Sequence, residues 1–220
     1  MSGRLGFQNE IEKLNVELIK MGALIEEAIE NVIISLKTQD HSLAKEIIKK
    51  DREVDDMEKV IESHCLSLIL RQQPVAKDLR IVSTALKMVT DMERIGDHAS
   101  DIASIILKID TEHFFEIVEH IPEMASIAKK MVNGAIEAFV KGDTELTKKI
   151  IDMDDKVDAL FTKVKSEVIE ILKKSNDLSD MCVDFLMIAK YFERIGDHAE
   201  NICEWVEFNE TGEYKNSRIL

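Results

Sequence analysis

Seven residues, Glu93-Arg94-Ile95-Gly96-Asp97-His98-Ala99, return without a change as Glu193 to Ala199, one hundred positions later. Each copy holds an acid, three intervening residues and a second acid. On an α-helix this i,i+4 spacing puts both carboxylates on one face, one turn apart. Such a pair can share a cation; without one it is a like-charge pair that weakens the helix by about 0.2–0.5 kcal/mol. A second pair, Asp51 and Asp55, recurs 103 positions later as Asp154 and Asp158. Most surface positions differ between the halves, yet all eight acids stay in register, which favours cation binding over a merely solvated acidic face. All-oxygen clusters suit hard ions such as Fe³⁺, Mn²⁺, Mg²⁺ or Ca²⁺, accommodate zinc and disfavour copper. Asp101 and Asn201, one turn further on, are weaker candidates as rim ligands.

The neighbouring residues restrict the chemistry. A buried di-iron oxidase or a metal-storage bundle is the alternative, but such bundles project Glu-x-x-His motifs inward, and here His98 and His198 lie five residues after Glu93 and Glu193. The histidines are expected in structural or rim positions. Gly96 and Gly196 each cost about 1 kcal/mol in a helix interior, a cost that close helix approach or access to the adjacent acids would explain. Arg94 and Arg194 are expected to pair with nearby acids. No nucleophile has a placed base and no glycine-rich loop cradles phosphate, so nothing points to an enzyme.

Six helices must position these residues. Leu14, Leu18, Met21, Ile25, Ala28, Val32 and Leu36 recur at steps of three or four and predict a helix from about Leu5 to Lys37. Asp40 or Ser42 can cap a second helix, with the stripe Leu43, Ile47, Val54, Met57, Ile61 and Leu68, ending near Arg71. Pro74 is expected in the first turn of a third, which carries Met88, Met92, Ile95, Ala99, Ile102 and Ile106 to about Ile109. Glu93, Asp97 and Asp101 fall opposite that stripe, so the acids are expected to face outward, and Glu193, Asp197 and Asn201 likewise. The methionines read as core filler.

Asp110 to Glu119, with Phe114 and Phe115, is the expected joint, and helix 4 begins near Thr111 or at Pro122. Beyond it the first half repeats: Met124 falls on Met21, Asp143 on Asp40 and Val157 on Val54. The offset shortens to one hundred because the Gln72-Gln73-Pro74 corner is longer than Ser175-Asn176-Asp177. The fold class is therefore all-α, two tandem antiparallel three-helix bundles made by internal duplication, with repeats at 1–110 and 111–220. Each repeat is expected to hold one cluster drawn from neighbouring helices, with more than one ion in each because i,i+4 pairs offer bridging oxygens.

Composition sets the surroundings. Charged residues make up 33% and aromatics only 5%, with two prolines, which fits long helices. The net charge of −14 argues against nucleic acid or an anionic membrane surface as partner and favours cations and basic protein patches. Charges interrupt every apolar stretch before the roughly 18 residues that a membrane span needs, so direct membrane insertion is not expected and the cytoplasm is the expected location. Cys65, Cys182 and Cys203 read as free, mostly buried thiols.

Taken together, the acid-x-x-x-Asp pairs, the six-helix duplication and the Pro74-Val75-Ala76-Lys77-Asp78-Leu79-Arg80 entry to helix 3 resemble the PhoU family of bacterial phosphate-transport and phosphate-signalling regulators, over nearly the full chain. The resemblance implies a non-enzymatic negative regulator that acts with the ATPase of a phosphate ABC transporter and a sensor histidine kinase. It also implies a homodimer and surface multinuclear metal clusters at the acidic pairs, with iron first and manganese, magnesium or zinc as alternatives. The halves differ in one respect: Tyr191, Phe192 and Asn201 stand where the first has Asp91, Met92 and Asp101, so the second site is expected to be less negative.

Overall fold

The chain is rich in strong helix formers and poor in breakers, and in the computed structural model it forms six helices among the described residues, which are 2–109, 120–174, 177–214 and 217–218. They are α1 (Ser2–Thr38), α2 (His41–Gln72), α3 (Lys77–Ile106), α4 (Ile121–Lys141), α5 (Thr144–Lys174) and α6 (Ser179–Thr211). At about 1.5 Å per residue, α1 is about 55 Å long.

The repeat is visible in the caps. Asp40 Oδ1 accepts from the amides of Ser42 at 2.9 Å and Leu43 at 3.0 Å. Asp143 Oδ1 accepts in the same way from Glu145 and Leu146, both at 3.0 Å. Gly142, at φ +62°, ends α4 in the left-handed conformation that lets its N–H turn back to Ala138 and Phe139.

Helices α1, α2 and α3 pack together, α4, α5 and α6 do the same, and the two sets meet through α3 on α6 and α1 on α4. Each repeat thus presents the same two helices to the other, as a pseudo-twofold requires. Most of the predicted stripe residues are buried, with Leu14, Leu18, Met21, Met88, Met92, Ile95 and Ile102 at most 1% exposed, while Ala28, Leu43 and Met57 are half-buried. The apolar core runs continuously through both sets. On the α1–α4 contact a Cβ at Gly22 would lie 3.1 Å from Ile136 Cδ1, and Glu30 pairs with Lys129.

The repeats are also fastened internally by a pair that has changed sides. In the first, His64 of α2 meets Glu17 of α1 through Nδ1 at 2.8 Å and Glu10 through Nε2 at 3.1 Å. Shifted by 103 positions, Glu17 becomes His120 and His64 becomes Glu167, and these two are again hydrogen-bonded.

Several expectations change. Pro74 lies outside α3, which starts at Lys77; the chain reverses through Gln73 at φ 46° and Ala76 at φ 48°, and two positive-φ residues in a four-residue corner exclude a right-handed helical turn around the proline. Helix α3 stops at Ile106 and passes into turns through Leu107 and Lys108. A two-residue antiparallel pair, Glu213–Tyr214 with Ser217–Arg218, follows α6 and stacks Tyr214 on Trp205 at 4.1 Å. Helix α4 begins at Ile121 with Pro122 in its first turn. The joint expected at Asp110 to Glu119, the start considered near Thr111, and Ser175 and Asn176 lie outside the described residues. All three cysteines are free and buried, and among the described residues no helix is long and apolar enough to cross a membrane.

Candidate metal centre

Two glycines decide how close the acids come. A Cβ on Gly96 would stand 3.0 Å from Val54 Cγ1 and 3.6 Å from Asp51 Oδ1. On Gly196 it would stand 3.1 Å from Asp154 Oδ1 and 3.6 Å from Val157 Cγ1. The missing side chains let α2 lie against α3 and α5 against α6, so each acidic pair on one helix faces a pair on the other. The carboxylates therefore sit in the cleft between two helices rather than fully outward. Glu93 and Glu193 side chains are only 17% and 12% exposed, while Asp97 and Asp197 are about a third exposed.

In the first repeat, Asp51, Asp55 and Asp97 bring carboxylate oxygens within 4.8 Å of one another. Burial, then Asp97, Asp55 and Asp101, push Asp51 up to about 6 against a hydrogen bond from Ser100. Burial, then Asp97 and Glu58, push Glu93 up to about 7. Arg94 pairs with Asp97 at 3.1 Å and approaches Glu93 at 3.6 Å. Asp101 accepts from the Tyr191 hydroxyl and is itself raised by burial.

The second repeat is similar but not equal. Burial, then Glu200, Asp197, Asp158 and Glu193, push Asp154 up to about 7, and its Oδ1 is buried without a hydrogen-bond partner. Arg194 reaches Asp197 at 3.4 Å. Lys190 Nζ lies 2.5 Å from both carboxylate oxygens of Glu193. Among the described residues, Asp51, Asp55 and Asp97 form the one trio of potential ligands whose donor atoms all lie within 4.8 Å of one another; Asp154, Asp158 and Asp197 do not close to the same degree.

Between the two centres, α3 and α6 enclose a polar seam. His198 Nδ1 meets Asp91 Oδ1 at 2.8 Å, and Asn201 Nδ2 donates to the same oxygen at 3.2 Å. His98 packs 5.3 Å from the Tyr191 ring and 5.5 Å from that of His198. Burial, then His198 and the two arginines, push it down to about 4. The histidines thus fill the seam, and the Asn201 amide is engaged there as well.

Sequence reasoning missed Glu58, Ser100, Glu200 and Lys190. The signal for two of them was present as i,i+3 spacing: Glu58 follows Asp55 by three residues, and Lys190 precedes Glu193 by three. Ser100 and Glu200 matter only because the glycines bring the opposite helix within reach.

The residues suit a hard cation. Several carboxylates gathered in a partly desolvated cleft hold protons or take up positive charge, and the raised Asp51, Glu93 and Asp154 show that repulsion and burial at work. An orphaned buried oxygen on Asp154 and an oxygen-only donor set match manganese, magnesium or iron better than soft-ligand metals.

Comparison with known proteins places this arrangement. The PhoU domain family model matches residues 18–106 and 121–206, once in each repeat. A Clostridium acetobutylicum protein named phosphate-specific transport system accessory protein PhoU homolog is 38% identical over 207 residues, covering 94% of each chain. A homologue of the same kind from Thermotoga maritima is 33% identical and covers 96% of this chain and 92% of its own. The crystal structure of PhoU from Pseudomonas aeruginosa superposes with a TM-score of 0.88 at 29% identity, over 94% of this chain and all of that one. With both repeats matched and relatives aligned over more than nine-tenths of their length, the chain belongs to the PhoU family.

Proposed function

We propose that the protein is a non-catalytic accessory regulator of phosphate-specific transport, restraining uptake and phosphate-starvation signalling from the cytoplasmic side. The observation that supports this most is its relatedness, along nearly the full length of both chains, to accessory proteins named for that transport system. The partners proposed are the transporter's ATPase and a sensor histidine kinase. A chain of net charge −14 is suited to docking on basic protein surfaces. In cells lacking the protein, phosphate uptake should continue at high external phosphate, and the wild-type gene should restore repression. Unchanged repression in the deletion strain would overturn the reading. The homodimer is part of the proposal, and sedimentation showing a monomer at micromolar concentration would remove it.

The acidic clefts are proposed as metal centres, one per repeat: Asp51, Asp55, Glu93 and Asp97 in the first, and Asp154, Asp158, Glu193 and Asp197 in the second. Bound cations would neutralise the clusters and offer open positions to an anion or a partner carboxylate. Iron is the first expectation, with manganese, magnesium or zinc as alternatives, since oxygen-only sites discriminate weakly among such ions. Elemental analysis of protein purified without chelator should find metal, and the variant E93Q/D97N/E193Q/D197N should lose it with its helices intact. Equal metal content in the two proteins would overturn the assignment.

A further inference from the structure

We propose that Lys190 is a built-in counter-cation of the second centre, so that the two centres load unequally, the first binding its ion early and tightly and the second only by displacing an ammonium group. The inference rests on the metal reading above and concerns how the two centres are regulated.

Pseudo-equivalent positions carry the argument. Lys190 corresponds to Thr90, one hundred positions earlier, and Phe161 corresponds to Glu58, 103 positions earlier. In the first repeat Thr90 turns its hydroxyl back to Leu86 O at 3.5 Å, and Glu58 adds a further acid beside Glu93. In the second repeat Lys190 Nζ bridges both oxygens of Glu193 at 2.5 Å and stands over the Phe161 ring at 5.4 Å. Both replacements act in one direction. The acid that would crowd Glu193 has become an aromatic face that holds a cation, and the neutral threonine has become that cation. Arg94 and Arg194 recur at one position and each pairs with the aspartate three residues on, at 3.1 and 3.4 Å; Arg94 also approaches Glu93 at 3.6 Å, a longer, single contact than the two-oxygen grip of Lys190 on Glu193. Glu200, in place of Ser100, adds an acid, and it acts on Asp154.

A metal ion approaching Glu193 meets a like charge a few ångströms away and must break a charge-assisted pair held in a side-chain environment only 12% exposed at the carboxylate. Among the described residues the acids of the first centre pair with Arg94 and with no lysine, and the trio Asp51, Asp55 and Asp97 is already gathered within 4.8 Å. Coulombic competition of this kind weakens binding by at least about tenfold at the intermediate dielectric of a half-buried cleft.

The test is titration of chelator-stripped protein with Mn²⁺, following free Mn²⁺ by electron paramagnetic resonance, with circular dichroism to confirm that each variant is folded. Wild type should bind in a tight and a weak phase, D97N should lose the tight phase and D197N the weak one. K190T should tighten the weak phase at least about tenfold and leave the tight phase unchanged, while K190R, which keeps the charge, should behave as wild type. The converse T90K should weaken the tight phase. Two equal phases in wild type, or a K190T titration identical to wild type, would overturn the role of Lys190 while leaving the metal centres standing. The same tightening in K190R as in K190T would show that packing rather than charge is responsible, and would also overturn it. No Mn²⁺ uptake by wild type would overturn the inference together with the metal reading beneath it.

Discussion

Gly96 and Gly196 occupy the same place in the repeat and face different obstacles. At Gly96 an added Cβ meets Val54 Cγ1 at 3.0 Å, and a β-branched side chain buried on the facing helix has little freedom to turn away. Gly96→Ala should therefore lower stability by about 1–2 kcal/mol in urea denaturation, even after the gain in helix propensity. At Gly196 the nearest atom is the terminal oxygen of Asp154, at 3.1 Å, which can rotate. Gly196→Ala should stay within about 1 kcal/mol of wild type but lose metal at the second centre, as Mn²⁺ binding would show. The raised carboxyls give a pH signature. Asp51, Glu93 and Asp154 titrate at about 6, 7 and 7 in the folded protein against 3.8, 4.5 and 3.8 as ordinary values. The native state thus keeps protons that the unfolded chain releases, so their contribution is fullest below about pH 4 and is lost as pH rises through about 6 to 7. Melting curves of metal-free protein should fall in midpoint across that window. Saturating Mn²⁺ should remove the fall, and the variant E93Q/D154N should flatten it without metal.

Between elements, the histidine–carboxylate pair that joins α4 to α5 mirrors the one that joins α1 to α2 with the partners exchanged. The contact serves the packing of two helices rather than one residue's chemistry, since either side can supply the imidazole. His120→Glu alone would set two acids together and Glu167→His alone two imidazoles. Each single change should cost about 1–2 kcal/mol, and the double variant should recover most of the loss. Additive losses in the cycle would show that the pair does not couple the helices. The corner before α3 is also decided between elements. Two positive-φ residues, Gln73 and Ala76, reverse the chain so that α3 can lie against α2 with Gly96 over Val54.

At the scale of the molecule, the two repeats close over a shared core and a polar seam. Asp91 serves His198 and Asn201, while the opposite position, Tyr191, serves His98 and Asp101. The seam is thus held by unlike partners about a pseudo-twofold, and each repeat covers apolar surface of the other. The protein should unfold in a single calorimetric transition whose van't Hoff and calorimetric enthalpies agree. Two resolved transitions would show that the repeats are independent units.

The duplication, the six helices, the Asp40 and Asp143 caps and the acidic pairs were legible in the sequence, because periodicity, capping and i,i+4 spacing are local properties that a linear reading preserves. The depth of the acids was not. A helical wheel reports direction relative to a helix's own stripe, whereas burial depends on how closely the next helix approaches, and that is set by Gly96 meeting Val54 and Gly196 meeting Asp154 and Val157 across the chain. A less negative second site was expected from Tyr191, Phe192 and Asn201, but the same limit hid the part that Lys190 plays in it. Lys190 is three residues from Glu193 in any listing of the chain, but only the packing of α5 against α6 puts the Phe161 ring beneath its ammonium group. Sequence determined which groups repeat; tertiary structure decided which of them share a cleft, because charges interact through space and desolvation rather than along the chain.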